Sequence, residues 1–210
     1  MKIDTEEKKI HGEKPEHGIL ERAAGILKAG GIVAFPTDTV YGLAVSAFVP
    51  DAKKKLCHLK GRSFAKPLVL MAPDISSIEH IVKITATVRK LMNRFWPGPL
   101  TLILPTTELG KMVMGGRPDA GVRIPDDKLA RSLLRTCGFP LLTTSANPSG
   151  EMSAKTGRQA VNYFSGMIEM VLDGGSCAHG RESTVIDATH HHYVVVREGC
   201  LPSKSLLPYL

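Results

Sequence analysis

Four side chains bearing hydroxyl or carboxylate groups fall close together at Thr37, Asp38, Thr39 and Tyr41. They follow Pro36, which ends a short apolar run from Ile32 to Phe35. A proline has no N–H to give a strand ladder, so regular pairing stops there. A strand that stops and delivers a polar cluster is how α/β sheets build sites at strand ends. Taken alone, the same stretch also reads as a strand followed by a polar turn.

Similar groupings recur along the chain. Lys60, Arg62 and Lys66 lie on a Gly-containing turn just before the apolar run Leu68 to Met71. Thr101 stands near the start of an apolar strand, Leu100 to Leu104. Arg123 sits between Val122 and Ile124, so in a strand it points to the opposite face from them. Ser145 and Asn147 end another apolar run, Ser183 and Thr184 open one, and Arg197 closes the last. Arginine suits bidentate recognition of carboxylate or phosphate, and lysine supplies a compact charge. Together these groups describe a concave, donor-rich site whose chemistry is positioning and charge neutralisation, as in nucleotidyl or phosphoryl transfer.

Other chemistries lack their signatures. No Walker-type Gly-x-x-x-x-Gly-Lys-Ser/Thr, Gly-x-Gly-x-x-Gly or Gly-x-Ser-x-Gly motif is present. Cys57, Cys137, Cys177 and Cys200 are dispersed, which excludes a Cys-x-x-Cys zinc site and suits a reducing cytoplasm. The run His190-His191-His192 could bind metal, but it reads more simply as a solvated turn between strands. The net charge of +7 suits polyanionic partners, nucleotide or nucleic acid. It leaves open a second function, an RNA-binding protein (tRNA or double-stranded RNA) without enzymatic activity. Aromatics are only 5% of residues, too few for a stacking platform for single strands.

The elements that must position these groups follow from periodicity and punctuation. Residues 16–29 carry a one-sided apolar stripe ending at Gly30-Gly31, a helix. Leu43 to Phe48 is a second strand, and 51–60 a helix that Asp51 can cap. One or two helices cover 74–96 and stop at Trp96-Pro97-Gly98-Pro99. Residues 106–120, with Gly110, Gly115 and Gly116, read as a mobile loop. Asp126 or Asp127 caps a helix to Cys137, Thr156 caps a helix to 165, and strands follow at 167–172, 185–188 and 193–196. Strands alternating with helices give an α/β fold with one twisted, mixed and partly parallel open sheet. Residues 1–15 are polar and read as a flexible arm, leaving 16–210 as a single catalytic domain. No stretch is long and apolar enough for a bilayer.

Seven motifs occur in a set order: Pro36-Thr-Asp-Thr-Val-Tyr-Gly42, Lys60-Gly-Arg62 with Lys66-Pro-Leu68, Trp96-Pro-Gly-Pro-Leu-Thr101, Val122-Arg-Ile-Pro125, Thr144-Ser-Ala-Asn147, Glu182-Ser-Thr184 and Val196-Arg-Glu-Gly199. In this the chain resembles the YrdC-like family of L-threonylcarbamoyladenylate synthases, over about residues 18 to 200. The resemblance implies a twisted α/β sheet flanked by helices around a large basic central cavity. It implies a nucleotidyltransferase that condenses L-threonine, bicarbonate or carbon dioxide, and ATP with Mg²⁺, releasing pyrophosphate. The threonylcarbamoyl-AMP product then serves the tRNA adenosine beside the anticodon, through a separate tRNA threonylcarbamoyl-transferase complex.

By the same resemblance, Thr37, Arg123 and Ser183 bind threonine, with Arg123 on its carboxylate. Lys60, Arg62 and Lys66 hold the phosphates, Lys60, Arg62 and Ser183 take part in catalysis, and Thr101, Ser145, Asn147, Ser153 and Arg197 lie along the nucleotide. No protein side chain is assigned to the Mg²⁺. Some members have Arg-Pro and Asn-Pro where Ser63 and Lys66 stand here. Longer members close the site with a C-terminal domain. This sequence ends at Leu210, so closure is expected from the loop 106–120 or the N-terminal arm.

Overall fold

The computed structural model describes residues 3–61, 68–190 and 192–209. Arg62 and Lys66, with their neighbours in the second motif, and the middle histidine of 190–192 lie outside them. Among the described residues, ten strands form one sheet. In chain order they are β1 (Glu6–Lys9), β2 (Val33–Phe35), β3 (Gly42–Ser46), β4 (Val69–Met71), β5 (Leu100–Pro105), β6 (Asp119–Arg123), β7 (Leu141–Ser145), β8 (Met170–Asp173), β9 (Thr184–Asp187) and β10 (Val194–Arg197). Their order across the sheet is β1-β8-β2-β3-β7-β4-β6-β5-β9-β10, with parallel and antiparallel neighbours mixed. The helices are α1 (His17–Lys28), α2 (Pro50–Leu59), α3 (Ala86–Phe95), α4 (Glu108–Val113), α5 (Lys128–Cys137) and α6 (Gly157–Phe164).

The two-residue period of the strands sorts the core into two layers. Val33 and Phe35 join a cluster with Leu27 of α1 and Leu133 of α5, while Ala34 joins the opposite cluster. That opposite layer takes Leu56 from α2, Leu91 from α3 and Phe164 from α6. On β5, Leu100, Leu102 and Leu104 face this second layer. Thr101 and Ile103 therefore face the α1/α5 side, where they line a cavity instead of a helix.

Local chemistry sets the helix starts. The side chains of Thr85, Asp127 and Thr156 each accept a hydrogen bond from the backbone N–H three residues on, at 3.2, 2.8 and 3.3 Å. Asp51 does not act this way. Helix α2 begins at Pro50, after Val49, and the Asp51 carboxylate pairs instead with Lys54 at 3.0 Å. The span 74–96 contains a 3-10 turn, Ser76–Ile78, and then α3.

Two further expectations are corrected. Residues 106–120 are not a loop throughout: they hold α4 and the start of β6, and Thr107 caps α4 by accepting from Gly110 N at 3.0 Å. Glycine is needed at position 110 for approach, since a Cβ there would stand 1.9 Å from the Ile81 carbonyl oxygen. Helix propensity favours Ala over Gly by about 1 kcal/mol. The clash is with backbone and outweighs it, so Gly110→Ala is expected to destabilise by about 1–3 kcal/mol. A lower urea midpoint at unchanged slope would report this; a higher midpoint would refute it.

The N-terminal residues also differ from a free arm. Strand β1 pairs in parallel with β8, Glu6 opposite Met170. The Thr5 hydroxyl donates to Ile168 O at 2.6 Å, and Arg22 pairs with Glu6 at 2.7 Å. The sequence shows no apolar run there because β1 is an edge strand, and charged residues are how edges avoid pairing with other chains.

Candidate active site

Across the face of β7, β4, β6, β5 and β9 that α1 and α5 leave open lies a cavity of about 440 Å³. Six of the residues to which the family resemblance gives a role line it: Thr37, Thr101, Arg123, Ser145, Ser183 and Arg197. Thr39 and Glu182 line it too, although neither was assigned a role.

Arg123 ends β6, with Val122 and Ile124 in the core layer behind it. It is 4% exposed. Its Nε donates to Gly98 O at 3.0 Å, its Nη1 to Thr39 Oγ1 at 2.7 Å and its Nη2 to Asp38 Oδ1 at 2.5 Å. The Trp-Pro-Gly-Pro turn brings the first of these acceptors into place: Trp96 Nε1 donates to Leu100 O at 2.6 Å, and Gly98 N to Ile124 O at 2.9 Å. A Cβ on Gly98 would lie 2.4 Å from Phe95 O, so only glycine lets the turn close. Three of the five guanidinium N–H groups are thus spent on orientation, and two remain.

The hydroxyls of the opening motif form a directed chain. Thr37 Oγ1 gives its proton to Val40 O at 2.7 Å, so Thr39 Oγ1, 2.9 Å away, donates to Thr37 and accepts from Arg123. Thr37 also accepts from Thr39 N at 3.2 Å. Its hydroxyl is therefore fully used inside the turn, and its methyl and backbone are what it offers the cavity. Asp38 lies behind the wall. Its Oδ1 also accepts from Asp126 N at 3.1 Å, while its buried Oδ2 has no partner among the described residues. Tyr41 packs in the wall with its hydroxyl turned away: it donates to Gly175 O at 2.8 Å and accepts from Gly174 N at 3.2 Å. Burial, reinforced by Asp173, raises its pKa far above the ordinary phenol value.

A second group gathers at the end of β7. Lys60, next after α2, is 4% exposed. Its Nζ donates to the carbonyl of Ser145 and lies 3.1 Å from Asn147 Oδ1 and 3.3 Å from the hydroxyls of Thr144 and Ser145. The Ser145 hydroxyl donates to Asn147 Oδ1 at 2.6 Å. Lys60 and Asn147 stand behind the cavity wall and Ser145 in it.

The third group joins three elements. Thr101 Oγ1 and Ser183 Oγ are 2.8 Å apart. Arg197 donates through Nε and Nη2 to Ser183 O at 3.1 and 2.9 Å, bracing the start of β9 against β10. Burial lowers the Arg197 pKa, and the neighbouring Glu182 opposes that shift. Ser153, outside the cavity lining, donates to Glu182 Oε1 at 2.7 Å and holds that carboxyl below its usual range. Burial pushes the Cys177 thiol up to about 11, which disfavours its thiolate.

Among the described residues, no cluster of three His, Cys, Asp or Glu side chains could hold a metal ion, and Glu182 is the one carboxylate lining the cavity. No helix among them is long and apolar enough to cross a membrane.

With this geometry in view, the comparisons with known proteins decide the family. The model described as "Telomere recombination", which groups the Sua5, YciO and YrdC proteins, matches residues 25–199. The chain belongs to this family. It is 38% identical over 196 residues to the threonylcarbamoyl-AMP synthase of Pyrococcus abyssi, covering 92% of this chain and 58% of that protein. It is 37% identical over 190 residues to the Bacillus subtilis enzyme of the same name, covering 89% and 55%. It thus spans little more than half the length of these relatives. The crystal structure of P. abyssi Sua5 complexed with L-threonine superposes with a TM-score of 0.93 at 36% identity, covering 98% of this chain and 61% of that one. Escherichia coli YciO superposes at 0.87 with 25% identity, covering 98% and 100%. The mixed open sheet flanked by helices is the fold of these family members.

Proposed function

We propose that this chain is an L-threonylcarbamoyladenylate synthase: a nucleotidyltransferase that joins L-threonine, bicarbonate or carbon dioxide, and ATP, and releases pyrophosphate. The observation that carries this reading is the likeness to a family member holding L-threonine, across 98% of this chain. It is supported by a cavity with an oriented, buried arginine of the kind that receives a carboxylate.

In this reading the two N–H groups left on Arg123 take the threonine carboxylate. Ser183 and Thr101 border the same space. The threonine amine becomes a carbamate, whose oxygen attacks the α-phosphorus of ATP as pyrophosphate leaves. Lys60, with Arg62 and Lys66, neutralises charge developing on the phosphates, Ser145 and Arg197 border the nucleotide, and Asn147 and Ser153 act from behind the lining through Ser145 and Glu182. Mg²⁺ enters with ATP as part of the substrate, neutralising its phosphates. The product would pass to the tRNA threonylcarbamoyl-transferase complex that modifies the adenosine beside the anticodon, a cytoplasmic task. No single general base is required beyond substrate and solvent.

The test is pyrophosphate release in the presence of L-threonine, bicarbonate, ATP and Mg²⁺. Release is expected only with all four present. Release that persists without threonine would refute the assignment.

A further inference from the structure

We propose that Glu182 receives the ammonium group of the amino-acid substrate. The cavity would then hold a zwitterion between one oriented cation, Arg123, and one oriented anion. This assignment rests on the reading above and adds to it how an amino acid is told from a hydroxy acid.

The argument begins with charge. The described cavity lining carries two arginines and a single carboxylate, Glu182. Arg123 is fixed by Asp38, Thr39 and Gly98. Arg197 spends its Nε and Nη2 on Ser183 and makes no ion pair with Glu182. Among the described residues Glu182 is therefore a half-buried carboxylate facing the cavity with no cation bonded to it, although Arg197 and Lys155 lie near enough to lower its pKa. A carboxylate in that setting is stabilised by a ligand that brings a positive charge.

The placement agrees. Ser153 fixes one carboxylate oxygen at 2.7 Å, and the backbone N–H of Glu182 itself also leans on the carboxylate. Glu182 directly precedes Ser183, whose hydroxyl is 2.8 Å from that of Thr101. Thr101 stands across the sheet from Arg123, one step along the antiparallel register that pairs Leu102 with Val122. The chain thus delivers Glu182 to the part of the cavity that Arg123 faces. The Ser153 hydrogen bond, with Arg197 and Lys155 nearby, also lowers the Glu182 pKa. The role is binding and orientation, and no covalent step is assigned to the residue.

Calorimetry on the full chain tests this with three ligands: L-threonine, 3-hydroxybutyrate, which is threonine without its amine, and ATP. The wild type is expected to prefer L-threonine to 3-hydroxybutyrate by about tenfold or more, the worth of a charge-assisted hydrogen bond. Glu182→Gln keeps an acceptor for Ser153. It is expected to lose that preference while binding 3-hydroxybutyrate and ATP as before, and retained 3-hydroxybutyrate binding shows that the site is intact. Threonine affinity unchanged by Glu182→Gln would overturn the proposal. So would equal loss of both acids, or loss confined to ATP, which would put Glu182 on the ribose. A wild type that binds no L-threonine would overturn the reading of the whole site, and the Glu182 assignment with it.

Discussion

Asp38→Asn is expected to lower the unfolding free energy by about 3–5 kcal/mol, the cost of leaving one member of a buried ion pair without its counter-charge. The Arg123 and Asp38 side chains are 4% and 3% exposed and meet at 2.5 Å. Asparagine keeps one acceptor but removes the charge, and it must place its amide near a guanidinium or where Asp38 Oδ2 already lacks a partner. Urea unfolding of both proteins measures the difference. A change below about 1 kcal/mol is the figure for a solvated pair and would show that the pair is effectively solvated. The same physics complicates Arg123→Ala, which strands the Asp38 carboxylate. A loss of threonine binding in that variant mixes loss of the anion receptor with loss of the wall that holds it. The double variant Asp38→Asn with Arg123→Met leaves no unpaired charge. It is expected to recover most of the stability and none of the threonine affinity.

That pair also shows how far the sequence was legible. The facing of Arg123 could be read from Val122 and Ile124, because alternation along a strand is local. The polar ends of β2 and β7 could be read because proline punctuates both, and so could the caps Asp127 and Thr156. What holds Arg123 could not be read, since Asp38 and Thr39 are 85 and 84 residues away and only the sheet brings them together. Thr37 looked like the contact residue of its turn. Its hydroxyl is consumed by Val40 and Thr39, a closure that depends on the backbone path. Glu182 stood inside a quoted motif but was passed over. A carboxylate has no evident use in a site read as cationic until its neighbours are seen to leave it without a bonded cation. At 106–120 the glycines suggested mobility, whereas Gly110 serves a close approach to a segment almost thirty residues earlier.

Lys60→Met is expected to lower the rate of threonine-dependent pyrophosphate release by about 10²–10³-fold, the usual cost of removing one preorganised electrostatic donor. L-Threonine affinity should stay within about twofold, because Arg123 and its partners lie on other strands. The structural cost is smaller. Methionine fills the lysine stem and Asn147 Oδ1 keeps the Ser145 hydroxyl, while the ammonium's bonds to the Ser145 carbonyl and Asn147 Oδ1 are among those lost. One such hydrogen bond from a charged donor is worth about 1.5–3 kcal/mol. A 10²–10³-fold rate loss corresponds to about 2.7–4 kcal/mol of transition-state stabilisation, so the excess over the stability change measures the work Lys60 does on the phosphates. Lys60→Arg keeps the charge but replaces a compact ammonium with a planar fork. It is expected not to restore the rate, since the acceptors at Ser145 and Asn147 surround a point donor. A rate loss under tenfold, matched by the loss of stability, would reduce Lys60 to a brace for the end of β7.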